Sequence, residues 1–162
     1  MAEEEGAFTI ALTSNPESPL AQVSERILDV PAPEAPRAPG VSSYRLSLLT
    51  LYLLAIRFAE VTGKMPQSEA NGLRREIETT ADMIEQAIAE NDERAHELAQ
   101  SVAEETNYVL TGYGPNYATA LFGAAKILEA TGLHAMAQDT EEWAHLQYFV
   151  NVDPRTPTFL IS

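Results

Sequence analysis

Lys126 and Glu129 stand out in this sequence as residues whose types and spacing could support chemistry. They lie three positions apart in a stretch that is predicted to be helical, so both side chains project from one helix face about one turn apart. A carboxylate within hydrogen-bond reach of a substrate carbon can act as a general base. The alternative is an ordinary ion pair on a helix surface, and the two residues taken alone favour that alternative.

His145 is a second candidate, because an imidazole titrates near neutrality and can exchange a proton there. Its alternative role is structural, since a histidine near a helix C-terminus interacts favourably with the helix dipole and with free carbonyl groups. The residues alone do not decide between these two roles. Glu142 is predicted to be structural, because Asp139 and Glu142 have the spacing of a capping box at a helix start.

Gly112 and Gly114 frame a predicted turn between a strand and a helix. Glycines at such a turn allow close approach of the backbone to an anion or a sugar, but a turn that requires positive φ would also select them. A third glycine is missing, so the turn does not match a dinucleotide-binding fingerprint. Asp, Glu and His are too scattered for a metal site, and the chain has no cysteine. We expect neither a metal nor a cofactor.

Strands and helices alternate at both ends of the sequence, with helices between. Short runs of β-branched and apolar residues predict strands over residues 7–12, 26–30, 107–111, 134–137 and 156–161. Apolar residues at helical spacing predict helices over residues 18–24, 43–62, 68–90, 92–105, 116–130 and 139–147. These strand–helix–strand units predict an α/β fold with parallel sheets.

The helix predicted over residues 43–62 is apolar nearly all round. Such a helix is expected to be buried, here against the second α/β segment or against a partner subunit. A proline-rich connector over residues 31–40 precedes it and can form neither a helix interior nor a central strand. Because a two-stranded sheet is too small to fold alone, we expect the two α/β segments to complete each other or to need further protein.

The charge is strongly negative, with 24 acidic and 10 basic residues giving a formal net charge of −14. Nucleic acids and anionic membranes are disfavoured as partners, because binding to them depends on Lys and Arg. A small phosphorylated ligand is compatible with this charge, since backbone N–H groups bind phosphate locally. Residues 1–5 are too acidic for a secretory signal, and the apolar run 46–56 is shorter than the roughly 20 residues of a membrane span. We predict a soluble cytoplasmic protein.

The stretch from Gly112 to His145 resembles the second SIS (sugar isomerase) domain of the glucosamine–fructose-6-phosphate aminotransferase family. That family shows a strand, G-x-G, then A-L-x-G-A-x-K-x-x-E and later E-x-x-H. The matching residues are Gly112 and Gly114, the run ALFGAAKILE over 120–129, and Glu142 and His145. Upstream, residues 9–30 resemble the later part of the first SIS domain, and GVSS over 40–43 resembles the family's G-V-A-S segment.

The resemblance implies a site for a phosphorylated sugar or amino sugar. Glu129 matches the family's carboxylate base, which moves a proton between C1 and C2 in aldose–ketose isomerisation, and Lys126 would be its electrostatic partner. His145 matches the histidine that assists ring opening and that reaches the active site of the neighbouring subunit. The residues assigned to substrate binding are Gly112, Gly114, Val41 and Ser43.

Several parts of the family are missing from the sequence, among them the serine-rich S-x-S-G-x-T loop that grips the sugar phosphate. The C-terminal lysine and the N-terminal cysteine of the aminotransferase are also absent. We therefore expect two partial SIS domains joined by helices: the end of a first domain (1–39), linking helices (40–105) and the start of a second domain (106–162).

The predicted function is a sugar-phosphate-binding module of an SIS-family isomerase, aminotransferase or deglycase that forms a homo-oligomer. One alternative is a non-catalytic module that senses sugar phosphates or mediates assembly, and another is an inactive fragment. The sequence leaves open whether the isolated chain is an enzyme.

Overall fold

Two parallel β-sheets with their helices form the fold in a computed structural model, which describes residues 5–31, 39–150 and 155–162. The predicted α/β class with parallel sheets is confirmed. The chain divides into two units, Met1–Ile84 and Glu85–Ser162. The three segments predicted from the sequence, with boundaries after residues 39 and 105, stay a prediction. Most of the acidic start and of the proline-rich connector, residues 1–4 and 32–38, lies outside the described residues.

The first unit contains a two-stranded parallel sheet. Strand β1 (Ile10–Thr13) pairs with β2 (Arg26–Asp29), and helix α1 (Pro19–Gln22) connects them. The Ser18 hydroxyl caps α1 by accepting a hydrogen bond from the Ala21 N–H at 3.3 Å. The two predicted strands and the short helix are thus confirmed, each shorter than predicted.

Two long helices follow, α2 (Val41–Val61) and α3 (Gln67–Ser101). The prediction of separate helices over 68–90 and 92–105 is wrong, because α3 continues through the predicted break. Asn91 could cap a new helix, but its side-chain amide donates to the Ala87 carbonyl, one turn back in the same helix, at 2.8 Å. Asn91, a residue type that often begins a helix, therefore forms its side-chain hydrogen bond inside a continuous helix.

Most of α2 is exposed, although its residues are apolar on nearly every side. Of the described residues of this helix, Ile56 alone is buried. Its exposed large apolar residues are Val41, Leu48, Leu49, Leu51, Tyr52, Leu53, Phe58 and Val61. The predicted burial of this helix is therefore not seen within the described residues. No helix among the described residues is both long enough and apolar enough to cross a bilayer.

A cluster of ion pairs joins the end of α2 to α3. Oε2 of Glu60 accepts hydrogen bonds from Arg57 Nη1 at 2.6 Å and from Arg74 Nη2 at 2.7 Å. The hydrogen bond from Arg74 lowers the pKa of Glu60 below its ordinary value, and the positive charge of Arg57 acts in the same direction. The cluster fixes the turn between the two helices.

The second unit contains a three-stranded parallel sheet in the order β4–β3–β5. Its strands are β3 (Asn107–Gly112), β4 (His134–Asp139) and β5 (Thr158–Ile161). Helix α4 (Pro115–Thr131) connects β3 to β4. After β4 come α5 (Thr140–Glu142), a π-helical turn (Trp143–Gln147) and α6 (Tyr148–Val150). The core lies between α4 and the sheet, and its buried residues are Tyr108, Leu110, Ala120, Ala124 and Ala135.

Glycines allow α4 to lie close to β3. A Cβ on Gly112 would collide with the Asn116 carbonyl and lie 2.9 Å from Tyr117 N. A Cβ on Gly123 would lie 2.6 Å from Leu110 Cδ2. Small residues at the contact therefore set the distance between the helix and the central strand.

We expect Gly112→Ala to lower the free energy of unfolding by about 1–3 kcal/mol, because the added Cβ must displace the start of α4. The matched control is Gly72→Ala in α3. A Cβ there meets nothing within 4 Å and should stabilise the helix by about 0.5–1 kcal/mol. Urea denaturation followed by circular dichroism measures both variants. Equal stabilities for the two would contradict the close approach at Gly112.

We also expect the stabilisation by Glu60 to depend on pH. Because its folded pKa is lowered, its contribution is present above the ordinary value of 4.5 and is lost as the pH falls through the folded value. The difference in unfolding free energy between wild type and Glu60→Gln should thus be largest above pH 4.5 and shrink in more acidic solution. Glu85→Gln, at an exposed position of α3, is the control. A Glu60 pKa of 4.5 or higher in an NMR titration would contradict the prediction.

Candidate functional site

Lys126 and Glu129 form an ion pair on α4, in which Lys126 Nζ donates to Glu129 Oε2. The predicted placement of both side chains on one helix face is therefore seen. Both residues lie within the last two turns of α4. The side chain of Lys126 is 22% exposed and that of Glu129 is 51% exposed, so the ammonium is partly covered while the carboxylate reaches solvent.

Phe122 completes this cluster. Lys126 Nζ lies 5.1 Å from the centroid of the Phe122 ring, which is a cation–π contact. Phe122 precedes Lys126 by four residues and Glu129 follows it by three, so the three side chains share one face of α4. Phe122 is not among the predicted site residues, and its i, i+4 spacing from Lys126 is the signal that could have found it.

Helix stability does not favour the position of Glu129. It lies two residues before the end of α4, where the helix dipole disfavours a negative charge. The ion pair with Lys126 offsets this, but an exposed i, i+3 or i, i+4 pair is worth only about 0.3–0.5 kcal/mol.

Gly112 and Gly114 lie at the opposite end of α4. Gly112 is the last residue of β3, and Gly114 is the N-cap of α4 with a φ of 57°, in the region that favours glycine. At a rise of 1.5 Å per residue, Glu129 lies about 22 Å along the helix from Gly114. One small ligand cannot contact both within a single chain, so the structure separates the predicted site residues into two places.

The carboxyl ends of the three strands meet beside this glycine turn. Gly112 is in register with Asp139 of β4 and with Ile161 of β5. Thr111 is fully buried, and the Thr140 hydroxyl donates to its Oγ1 at 3.4 Å. This contact ties the start of α5 to the central strand, and neither threonine is among the predicted site residues.

His145 lies in the π-helical turn, in a helical segment that begins at this same edge. Its Nδ1 is 2.8 Å from the Glu141 carbonyl oxygen and 3.7 Å from Glu141 Oε1, and its side chain is 68% exposed. The carbonyl contact fits a structural role. The exposure of the ring and its place in a π-helical turn, a feature frequent at functional sites, fit a chemical role.

The predicted cap at Asp139 is confirmed. Its carboxylate accepts a hydrogen bond from the Glu141 N–H at 2.9 Å, at the second position of the helix instead of the third, where Glu142 stands. The sequence therefore located the helix start correctly.

Val41 and Ser43 belong to the first unit, at the start of α2. Val41 is the first residue of the helix, and the Ser43 hydroxyl donates to the carbonyl of the N-cap residue Gly40 at 3.1 Å. Both residues are exposed. They are accessible to a ligand at the N-terminus of α2.

Known proteins match the chain over most of its length, although no model of a protein family does. The glutamine–fructose-6-phosphate aminotransferase of Clostridium tetani is 28% identical over 144 residues, which are 89% of this chain and 24% of that protein. The corresponding enzyme of Thermotoga maritima is 27% identical over 145 residues, which are 90% of this chain and 24% of that protein. The chain thus spans about a quarter of the length of the curated relatives it matches.

A solved structure shares the fold over nearly the whole chain. The C-terminal domain of glucosamine-fructose-6-phosphate aminotransferase from Francisella tularensis superimposes with a TM-score of 0.89 at 16% identity, covering 98% of this chain and 44% of that one. The chain has an SIS-type fold. Its predicted resemblance to the isomerase part of these aminotransferases is confirmed. The chain covers less than half of the solved domain.

We expect Asp139→Ala to destabilise the second unit of the chain by about 0.5–2 kcal/mol, because the Glu141 N–H loses its side-chain acceptor. Glu142→Gln, three residues further on at the same helix start, is the matched control, and it should change stability by at most about 1 kcal/mol. Thermal unfolding followed by circular dichroism compares the two. A larger loss for Glu142→Gln than for Asp139→Ala would contradict the assignment of the cap.

Proposed function

We propose that the SIS chain is a sugar-phosphate-binding module in which Glu129 is the general base of an aldose–ketose proton transfer. The observation that carries this proposal is the Lys126–Glu129 ion pair, a solvent-accessible carboxylate fixed by an ammonium at a position that helix stability does not favour. The names of the matched relatives support it, because they are isomerising aminotransferases of fructose 6-phosphate.

The proposed chemistry follows from the ion pair. The Glu129 carboxylate takes a proton from the carbon beside the carbonyl of a phosphorylated ketose or amino sugar and returns it to the neighbouring carbonyl carbon. Lys126 holds the carboxylate in place, and its positive charge favours the negative charge that develops on the sugar oxygen. The covered ammonium, packed on the Phe122 ring, is suited to this fixed role.

The remaining site residues lead us to propose a homo-oligomer. The helical segment of His145 begins at the strand edge that carries Gly112 and Gly114, whereas Glu129 lies at the far end of α4. We propose a shared site that takes Gly112, Gly114 and His145 from one subunit and Lys126 and Glu129 from another. Val41 and Ser43 would line the sugar.

A second candidate function is non-catalytic assembly. The uncovered apolar surface of α2 favours it, because exposed apolar patches of this kind mark interaction sites. Such a module would bind other subunits, and a sugar phosphate would act on it only as a signal.

Exchange of a carbon-bound proton tests the catalytic proposal directly. The C1 protons of fructose 6-phosphate are followed by NMR in D₂O with the full chain, which reports proton abstraction without the complete aminotransferase reaction. We expect weak binding of fructose 6-phosphate by this chain. Glu129→Gln should leave binding unchanged and slow the exchange by about 10²–10⁴-fold.

Glu142→Gln is the control, a glutamate at a helix start in the same unit. If it abolished exchange while Glu129→Gln retained it, the assignment of the base would be wrong. His145→Asn should slow the reaction of the closed-ring sugar more than that of an open-chain analogue. Wild-type chain that binds the sugar phosphate without any exchange would favour the non-catalytic candidate.

A further inference from the structure

Phe122, Lys126 and Glu129 form one stripe on α4, in which the ammonium contacts both the ring and the carboxylate. They occupy positions i, i+4 and i+7, which follow one another on the same face of a helix. Lys126 Nζ lies over the Phe122 ring, 5.1 Å from its centroid, and donates to Glu129 Oε2. The proposed function assigns steps to the lysine and the glutamate but none to the ring.

The ion pair alone does not account for the position of Lys126. Helix side chains lean toward the N-terminus of the helix, so this lysine leans toward Phe122 and away from Glu129. Helix ion pairs are also stronger when the acidic residue precedes the basic one, and here the order is reversed. This chain alone covers most of the Lys126 side chain, which is 22% exposed, and a cation–π attraction strengthens as water is removed. The ring is therefore a second attachment for the ammonium.

Proton transfer changes one of these two contacts and leaves the other intact. When the Glu129 carboxylate takes the proton from the sugar carbon, the C–H electron pair forms a carbon–carbon double bond and the carbonyl pair moves onto the oxygen. Negative charge thereby leaves Glu129 and appears on the sugar oxygen, so the ionic attraction between Glu129 and the ammonium is lost. The Phe122 ring has no charge to lose, and it attracts the ammonium equally before and after the transfer.

We propose that Phe122 is a positioning residue that keeps the Lys126 ammonium beside the reacting atoms while Glu129 is protonated. From there the ammonium stabilises the charge on the sugar oxygen, and it pairs with Glu129 again when the proton returns to the neighbouring carbon. A lysine held by the ion pair alone would be released at the moment when its charge is needed. The inference rests on the proposed function, in which Glu129 is the base, and adds Phe122 to the residues that determine the rate.

NMR of the lysine side chains tests the contact without any turnover. The chain has two lysines, Lys64 and Lys126, so one Lys64→Arg variant assigns both signals. The methylene protons beside the Lys126 ammonium should appear upfield of those of Lys64, because an aromatic ring shields groups above its face. Glu129→Gln imitates the protonated state and should retain most of this displacement, whereas Phe122→Leu should abolish it. Loss of the displacement in Glu129→Gln would show that the ion pair alone holds the lysine, which overturns the proposal.

The rate of C1 proton exchange at saturating fructose 6-phosphate tests the role in the reaction. Phe122→Leu keeps an apolar side chain without a ring and should slow this exchange about tenfold, which is within the range of cation–π energies. The KM should change less than about threefold, because the sugar binds before the charge moves. Phe122→Trp supplies the most favourable ring and should exchange within about twofold of wild type. Equal rates for these two variants would overturn the proposal.

Fluorination separates the electrostatics of the ring from its shape. Phe122→trifluorophenylalanine keeps nearly the same size, but the fluorines withdraw electron density from the ring face and weaken its attraction for a cation. It should slow exchange about as much as Phe122→Leu, with the circular dichroism of the chain unchanged. The control is the same substitution at Phe58 in α2 of the first unit, which should leave exchange unchanged. Full activity of the fluorinated Phe122 variant would make Phe122 a packing residue only and overturn the proposal.

The catalytic proposal and this inference fail in different ways. Wild-type chain without C1 exchange would reject Glu129 as the base, and with it the effect of Phe122 on the rate, whatever the lysine spectra show. Exchange that Glu129→Gln slows and Phe122→Leu leaves intact would keep Glu129 as the base and reject Phe122 alone.

Discussion

The close packing of α4 on β3 is the constraint on which the second unit depends. β3 pairs with both β4 and β5, and its residues from Tyr108 to Gly112 are buried. Glycine and alanine on the facing side of α4 let the helix approach the strand, and Gly112 allows the chain to turn into the helix at once. Every position along α4, including the ion pair near its end, is fixed by this contact.

Much of the fold could be predicted from the sequence because its signals are local. The run at β3 and the glycine turn after it define a strand and the following helix start, and both were found within a residue or two. The break predicted after residue 90 failed because Asn91 bonds inside the helix, as Asn side chains also do when no cap is needed. The local sequence does not show whether an Asn side chain caps a new helix or forms a hydrogen bond within an existing one.

The candidate site was predictable only in part. The spacing of Lys126 and Glu129 sufficed to place them together, because i, i+3 neighbours share a helix face whatever surrounds the helix. The separation of Gly114 from Glu129 follows from the length of α4, but motif order alone does not show whether two motifs serve one site. The apolar circumference of α2 likewise predicts that the helix is buried but does not predict which surface would cover it, and most of the helix is exposed in the structure.

Because Glu129 lies far from the glycine turn, a small tilt of α4 at that turn produces a large displacement of Glu129. The helix is anchored on β3 at its start, and Glu129 lies about 22 Å away along its axis. A tilt of only about 5° at the anchor would move the carboxylate by about 2 Å, more than the 1 Å misplacement that can cost an enzyme about a hundredfold in rate. Small changes in the packing at Gly112 and Gly123 would therefore shift Glu129, a residue that neither glycine contacts.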